Sequence, residues 1–192
     1  MLKPNNLVFY REWFPLPKGE FRILAMLADK GQFRGNLSDL CRYFFVSPQT
    51  ATRNRLSEQI STLEQQGYIT VERTGRIYTL TAIPKAEKIR IEREHYERIR
   101  TRARRSEGES VAWECVLKVY LWAKENDYDD IITNLMIQTD LNLSVGVICS
   151  AKNVLDREFG AIRRHKVSKQ KTNGDIYTIG QNIGTSAFWD CE

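Results

Sequence analysis

Apolar residues in the first half of the chain recur every three or four positions in three successive segments, which predicts three amphipathic helices. These helices are predicted after Pro17, from Asn36 to about Phe45, and from the Ser47-Pro48 turn to Gln66. Ser47 is of a residue type that caps helices, and Gly67 is of the type that ends them. Polar and apolar residues then alternate over 68–73 and 77–81, which predicts a β-hairpin.

The second half repeats the same order of elements. Ser110 is expected to cap its first helix, Asp129-Asp130 to start its second, with Met136 on the inner face, and Ser144 to cap its third. The third helix is predicted from Val145 to about Glu158, and hairpin strands are predicted over 161–168 and 176–179. Two copies of one order, helix, helix, helix and hairpin, indicate a repeated domain more strongly than either copy alone.

The segment from Ser47 to Gly67, with Leu63-Glu-Gln-Gln-Gly-Tyr-Ile69 at its end, resembles the winged helix-turn-helix superfamily, where a recognition helix runs into the first wing strand. The segment is longer than the usual pattern, so either the helix is long or its start is a loop. The second half is similar in element order and in the composition of its hairpin. The layout also resembles the replication initiators of plasmids and phages, which often pair two winged helices.

The resemblance implies a mainly α fold with small β-hairpin wings, an α+β protein with two winged helix-turn-helix domains. The domains are expected over 1–83 and 109–192, and a basic helical linker over 84–108. The net charge is +5 and the pI is about 9.0. Residues 84–107 hold nine Lys and Arg against five Glu, and such a concentration of positive charge suits an anionic polymer. The linker also has a thin apolar stripe that includes Ile89, Tyr96 and Ile99.

Candidate DNA contacts lie on the outer face of the third helix and on the first hairpin, if Ile60 and Leu63 face inward. They are Thr50, Thr52, Arg53, Asn54, Arg55, Glu58, Ser61, Arg73 and Arg76. Asn and Arg make bidentate contacts with adenine and guanine, and Ser and Thr suit either bases or phosphates. The linker adds Arg100 and Arg104, and the second half adds Ser150, Asn153, Arg157, Lys166, Lys169 and Lys171. The alternative interpretation is a polar surface that serves solubility.

Other chemistries find little support in the sequence. No phosphate-binding glycine loop occurs, and the cysteines (Cys41, Cys115, Cys149 and Cys191) have no zinc-ligand spacing with the two histidines. We therefore expect no enzymatic activity, no cofactor, no metal and no membrane segment. The cysteines are expected to be small buried thiols of a cytoplasmic, nucleoid-associated protein, with an interdomain disulfide or a redox thiol as the alternatives.

We expect a sequence-specific protein that binds double-stranded DNA and acts as a bacterial transcriptional regulator. One alternative is a replication initiator of a plasmid, phage or other mobile element. In another, the second domain serves protein interaction. The partners considered are double-stranded DNA, a second copy of the chain in a homodimer, and a protein bound by the C-terminal domain.

Overall fold

The structure, a computed structural model, describes residues 5–102, 111–126, 134–159, 162–164 and 177–179. These residues form α-helices and small antiparallel sheets, so the predicted α+β class is confirmed at that level. The chain divides into two units. The N-terminal unit comprises Leu7–Trp13 and Pro17–Lys88, and the C-terminal unit comprises Asn5, Asn6, Phe14–Leu16 and the described residues from Ile89 onward.

The elements follow one another without long connections in the N-terminal unit. In chain order, the described elements of both units are β1 (Asn6–Tyr10), a 3-10 helix (Arg11–Trp13), α1 (Lys18–Lys30), β2 (Gln32–Gly35), α2 (Leu37–Tyr43), α3 (Thr50–Gln65), β3 (Ile69–Thr74), β4 (Ile77–Ala82), β5 (Lys88–Glu92), α4 (Arg93–Arg102), α5 (Trp113–Glu125), α6 (Asn134–Leu141), α7 (Val145–Phe159), β6 (Ile162–Arg164) and β7 (Tyr177–Ile179). The boundary between the units at Lys88 and Ile89 lies inside the segment predicted as a linker.

Helix α1 begins directly after Pro17, as the sequence predicts. Pro17 occupies the cap position, where its fixed φ and missing N–H cost nothing. Gly31 ends the helix with a φ of 75°, and its N–H donates to the Leu27 carbonyl at 2.7 Å. Phe21 and Leu24 are fully buried, and so is Ile23 on the other side of the helix, because neighbours cover more than the one predicted face.

The connection between α2 and α3 differs from its prediction. Asn36 caps α2 in a capping box, in which its Oδ1 accepts from the Asp39 N–H at 3.0 Å and Asp39 Oδ2 accepts from the Asn36 N–H at 2.9 Å. Ser47 does not cap α3, since the cap position is Gln49 and makes no side-chain hydrogen bond. The Val46 N–H donates to the Cys41 carbonyl at 3.0 Å, so the hydrogen bonds that end α2 extend to Val46. Residues 47–49 are therefore left to turn the chain before α3 begins.

Helix α3 ends in a Schellman motif at the predicted glycine. The Tyr68 N–H donates to the Leu63 carbonyl at 2.9 Å, and the Gly67 N–H donates to the Glu64 carbonyl at 3.0 Å. The motif needs a left-handed residue, and Gly67 has a φ of 70°. This ending turns the chain directly into β3.

The predicted hairpin is part of a three-stranded sheet with the order β2-β4-β3. Strands β3 and β4 are antiparallel, with Thr74 opposite Ile77, so the connecting loop is Gly75-Arg76. Strand β2 was not predicted, and it pairs antiparallel with β4, with Phe33 opposite Leu80. Leu80 of the central strand is fully buried, as are Ile60 and Leu63 of α3. The predicted inner face of α3 is therefore confirmed.

The predicted helical linker begins with a strand. Residues 88–92 form β5, in which Ile89 and Ile91 are buried and their neighbours are exposed. That alternation has a period of two, so Ile89 belongs to a strand and not to the helical stripe in which the sequence prediction placed it. The helix that follows, α4, buries His95, Tyr96 and Ile99 and packs against α5 within the C-terminal unit.

Helix α5 is the centre of the C-terminal unit. Residues 114–123 are all buried, and α4, α6 and α7 pack against this helix. Burial on every side explains its nearly continuous apolar sequence. Lys118, 1% exposed, is held because its ammonium group donates to the backbone carbonyls of Leu16 and Leu141. Trp122 Nε1 donates to Asp140 Oδ2 at 2.7 Å.

The remaining helices follow the prediction in part. Helix α7 begins at Val145 after Ser144, whose carbonyl accepts from the Ile148 N–H at 3.0 Å. Helix α5 begins at Trp113 with Ala112 in the cap position, instead of directly after Ser110. Met136 is 50% exposed, so its predicted inward orientation is wrong. Asp129-Asp130 lie outside the described residues. Strands β6 and β7 pair antiparallel, with Ile162 opposite Ile179.

Candidate nucleic-acid interface

Helix α3 presents a polar face to solvent. Asn54 and Glu58 are exposed, while Ser61 is half-buried on the same side. Thr62 is half-buried, and its hydroxyl donates to the Glu58 carbonyl at 3.0 Å, so this side chain is engaged by its own helix. The face holds hydrogen-bonding groups of the kinds that read base edges.

The first turns of α3 project beyond the core. Residues 50–55 are exposed, except for the half-buried Thr52, and the first buried residue of the helix is Leu56. Arg53 and Arg55 form no ion pair among the described residues, and Arg53 donates to Thr50 Oγ1 at 3.4 Å. No acidic residue occurs between Asp39 and Glu58. The projecting end of the helix is therefore positively charged.

A cavity of about 340 Å³, here the wing-side cavity, lies between the hairpin loop and α3. It is lined by Asn36, Leu37, Ser38, Arg53, Gly75, Arg76 and Tyr78. Arg53 reaches it from α3, and Arg76 from the loop that joins β3 to β4. The structure thus brings together two predicted contacts that are 23 positions apart in the sequence. Two guanidinium groups beside hydroxyl and amide groups form a suitable site for a phosphate of the DNA backbone.

Arg73 is more engaged than predicted. Its guanidinium lies 3.7 Å from Glu64 Oε2 and 5.3 Å from the centroid of the Tyr78 ring. The ion pair offsets part of its charge, so less of the charge of Arg73 than of Arg76 is available to an anion. Arg76 forms no ion pair among the described residues.

A second cavity, of about 270 Å³ and here called the α1-side cavity, lies on the other flank of α3. Its lining comprises Pro17, Lys18, Gly19, Glu20, Arg22, Phe44, Val46, Thr52, Arg55, Leu56 and Gln59. Thr52, Leu56 and Gln59 are spaced i, i+4 and i+7, so they form one stripe along α3. Arg53 lies off that stripe and lines the wing-side cavity instead. Helix α3 therefore has a cavity with basic residues on each side.

Burial raises the pKa of the Cys41 thiol, and the nearby Arg53 charge partly offsets the increase. Cys41 is buried beneath α3, and Cys115 is buried in α5. Both are free thiols, as is the half-buried Cys149. A protonated, buried thiol is a weak nucleophile.

The remaining predicted contacts are spread over the rest of the chain. Arg100 of α4 is half-buried and engaged in interactions, and Ser150 and Asn153 of α7 are also half-buried. Arg104, the side chain of Arg157, and Lys166, Lys169 and Lys171 lie outside the described residues. Lys152 of α7 is buried and donates to Asn134 Oδ1 at 2.8 Å, so it is unavailable to DNA.

Sequence reasoning missed Lys18, Arg22, Asn36, Ser38 and Tyr78. Lys18 and Arg22 lie in the first turns of α1, where the apolar spacing assigns them to a solvent-exposed face. Nothing local in the sequence relates them to Arg55, because the contact depends on how α1 packs against α3.

Metal-binding clusters and membrane-spanning helices were sought in the part of the chain that the structure describes. There, no group of three or more His, Cys, Asp or Glu residues is arranged to hold a metal ion. No helix among the described residues is long and apolar enough to cross a membrane.

Comparison with known proteins assigns no family to the chain. No protein family model matches it, and no curated protein matches it. Among solved structures it is similar to the hypothetical protein PyrSV_gp04 from Pyrobaculum spherical virus. The match has 11% sequence identity, covers 86% of this chain and 95% of the other, and has a TM-score of 0.26. A TM-score this low supports no conclusion about fold or function.

Proposed function

We propose that the N-terminal unit is a winged helix-turn-helix domain that binds duplex DNA through α3 and the β3–β4 hairpin. The observation that carries the proposal is the projecting start of α3, whose residues 50–55 make almost no contribution to the core. An ordinary surface helix buries one face along its whole length. A helix that enters a groove must instead expose its first turns on several sides.

The order of elements supports the proposal. Helices α1, α2 and α3 precede a hairpin that is held against β2, the order expected of a winged helix. An α-helix with its side chains is about 10–12 Å across, and the major groove of B-DNA is about 12 Å wide. With α3 in the groove, the wing-side cavity would lie beside one phosphate backbone.

Roles follow from chemistry and exposure. Asn54 is exposed on the outer face of α3 and suits a bidentate contact with adenine, while Glu58 suits the amino group of cytosine. Arg53 and Arg76 would hold a backbone phosphate in the wing-side cavity. Thr50 accepts from Arg53, whereas Arg55 lies on the other flank of α3; both would contact either bases or phosphates.

The first experiment is selection of bound sequences from a random duplex library with the full chain, followed by affinity measurements against salt concentration. Enrichment of one motif would support base reading by α3, and a steep negative slope of log affinity against log salt would support phosphate contacts. Retention of all sequences alike, or no retention at any salt concentration, would contradict the proposal.

Substitutions at the wing-side cavity sharpen the test. Arg53→Ala and Arg76→Ala should each weaken binding to every sequence and reduce the magnitude of the salt slope by about 0.9, because each removes one phosphate contact. Arg11→Ala is the matched control. Arg11 pairs with Glu87 at 3.5 Å, and its N–H bonds the Glu87 carbonyl, away from the hairpin loop. Equal effects of all three substitutions would refute the assignment of the cavity.

Transcriptional regulation is the biological role that we propose for this binding, with replication initiation as the alternative. The selected motif separates the two. A single operator, symmetric if a homodimer binds, fits a regulator, and short direct repeats beside an AT-rich stretch fit an initiator. The C-terminal domain is proposed either to add phosphate contacts through the lysines of its predicted hairpin, Lys166, Lys169 and Lys171, or to bind a protein partner.

A further inference from the structure

The α1-side cavity combines an apolar lining with a basic rim. Phe44 and Leu56 are 7% and 5% exposed, and Pro17 and Val46 complete the apolar part. Lys18, Arg22 and Arg55 supply three positive charges against the one negative charge of Glu20. The cavity lies wholly within the N-terminal unit.

The cations around this cavity differ in their surroundings. The Arg22 guanidinium lies 5.6 Å from the centroid of the Phe44 ring, which holds it above the apolar lining. Lys18 and Arg55 form no ion pair among the described residues. Both are exposed, so they keep the rim positive at the mouth of the cavity.

The two cavities beside α3 favour different occupants. The wing-side cavity is lined mainly by polar and charged groups and lies next to the hairpin loop, as a site for a backbone phosphate requires. A phosphate gains nothing from the buried Phe44 and Leu56 in the α1-side cavity. A ligand with an apolar body gains from their contact, since removing apolar surface from water is favourable. The volume of the α1-side cavity, about 270 Å³, is just below the usual range of about 300–1,000 Å³ for ligand sites, which limits the apolar body to about one ring.

We propose that the α1-side cavity binds a small organic anion, a carboxylate or phosphate group attached to an apolar body of about one ring. The anionic group lies between Lys18, Arg22 and Arg55, and the ring contacts Phe44 and Leu56. A second part of the inference rests on the proposed function: the ligand weakens DNA binding, because it engages Arg55 of α3. Linkage then requires that DNA weaken ligand binding by the same factor.

The test of the cavity uses the full chain without DNA. Benzoate, phenylacetate and phenyl phosphate are titrated separately, and backbone amides are followed in ¹H–¹⁵N spectra. The expected result is saturable shifts for at least one of these anions, confined to the amides of residues 18–22, 44–46 and 52–59. Benzyl alcohol tests the ring without the charge, and acetate tests the charge without the ring. Both are expected to bind at least about tenfold more weakly than the best anion.

A matched pair of variants tests the basic rim. Lys18→Gln should weaken binding of the best anion at least threefold, because it removes an exposed charge at the mouth of the cavity. Lys30→Gln is the control, since Lys30 lies twelve residues further along α1, about 18 Å away at 1.5 Å per residue. The affinity of Lys30→Gln for the best anion should equal that of the wild type. No saturable shift with any anion, equal binding of benzyl alcohol, or equal effects of the two substitutions would overturn the proposal.

The DNA arm separates the two proposals. If the chain binds a selected duplex, adding the best anion should lower the affinity for that duplex in the wild type and less in Lys18→Gln. An anion that binds the cavity and leaves DNA affinity unchanged would overturn the linkage. If the chain binds no duplex, the proposed function fails, whereas the titrations without DNA still decide whether the cavity binds anions.

Discussion

Acidification should destabilise the C-terminal unit through His95. The imidazole is 6% exposed, its Nδ1 lies 3.0 Å from the Tyr120 hydroxyl oxygen, and its Nε2 lies 3.8 Å from Glu92 Oε2. Burial lowers the pKa of His95 from its ordinary 6.5 to about 4, and the charges of Lys124 and Arg98 contribute to the decrease. Lys124 itself is half-buried, and burial lowers its pKa, which the Glu92 charge partly offsets.

The sign and the magnitude follow from linkage. Between pH 6.5 and 4 the unfolded chain binds a proton at His95 and the folded chain does not, so the free energy of unfolding decreases as the pH falls. The decrease is up to ~1.4 kcal/mol for each pH unit, and up to ~3 kcal/mol across the interval. A domain with a free energy of unfolding of about 5–15 kcal/mol loses a substantial part of its stability. Above pH 6.5 the contribution of His95 is complete.

The assay is urea unfolding at several pH values between 7.5 and 4.5, followed through amide peaks of α5, for the wild type and His95→Gln. Glutamine can still hydrogen-bond to Tyr120 but does not titrate, so the difference between the two proteins isolates His95 from the carboxylates and from His165. The wild type should lose more stability than the variant as the pH falls. Equal pH dependence of the two proteins, or an NMR midpoint of the His95 ring near 6.5, would refute the reasoning.

Three further predictions, one of them with a control substitution, concern the N-terminal unit. Asn54→Ala should cost about 1–3 kcal/mol of discrimination at one base pair of the selected motif; an unchanged motif would count against base contact. Ile60→Ala should lower the free energy of unfolding by about 2–5 kcal/mol, because the side chain is fully buried, whereas the exposed Gln65→Ala should change it little. Asn36→Ala should cost about 1 kcal/mol by removing the capping box of α2, measured by urea unfolding; a neutral effect would contradict that role.

Local patterns in the sequence determined most elements of the N-terminal unit. Apolar spacing places α1, α2 and α3, and alternation places β3 and β4, because these signals depend on residues within a few positions of each other. Gly67 was predictable as the end of α3 because such an ending needs a residue in the left-handed conformation, whatever the helix packs against. Glycine adopts that conformation most easily. The outer face of α3, with Asn54 and Glu58, follows from the same spacing once Ile60 and Leu63 are assigned to the core.

Only the tertiary structure decided the features that depend on distant partners. Strand β2 has four residues and little alternation of its own, so its identity comes from pairing with β4, more than forty positions away. Arg53 and Arg76 meet because the hairpin folds back beside α3, and Lys18 and Arg55 line one cavity because α1 packs against that helix. Side-chain burial was also decided at this level. Lys118 and Lys152 carry charged groups, which are usually found at the surface. Both are buried in the C-terminal unit, where backbone carbonyls accept hydrogen bonds from Lys118 and the Asn134 amide oxygen accepts one from Lys152. Packing of remote segments sets such contacts, and no short stretch of sequence contains that information.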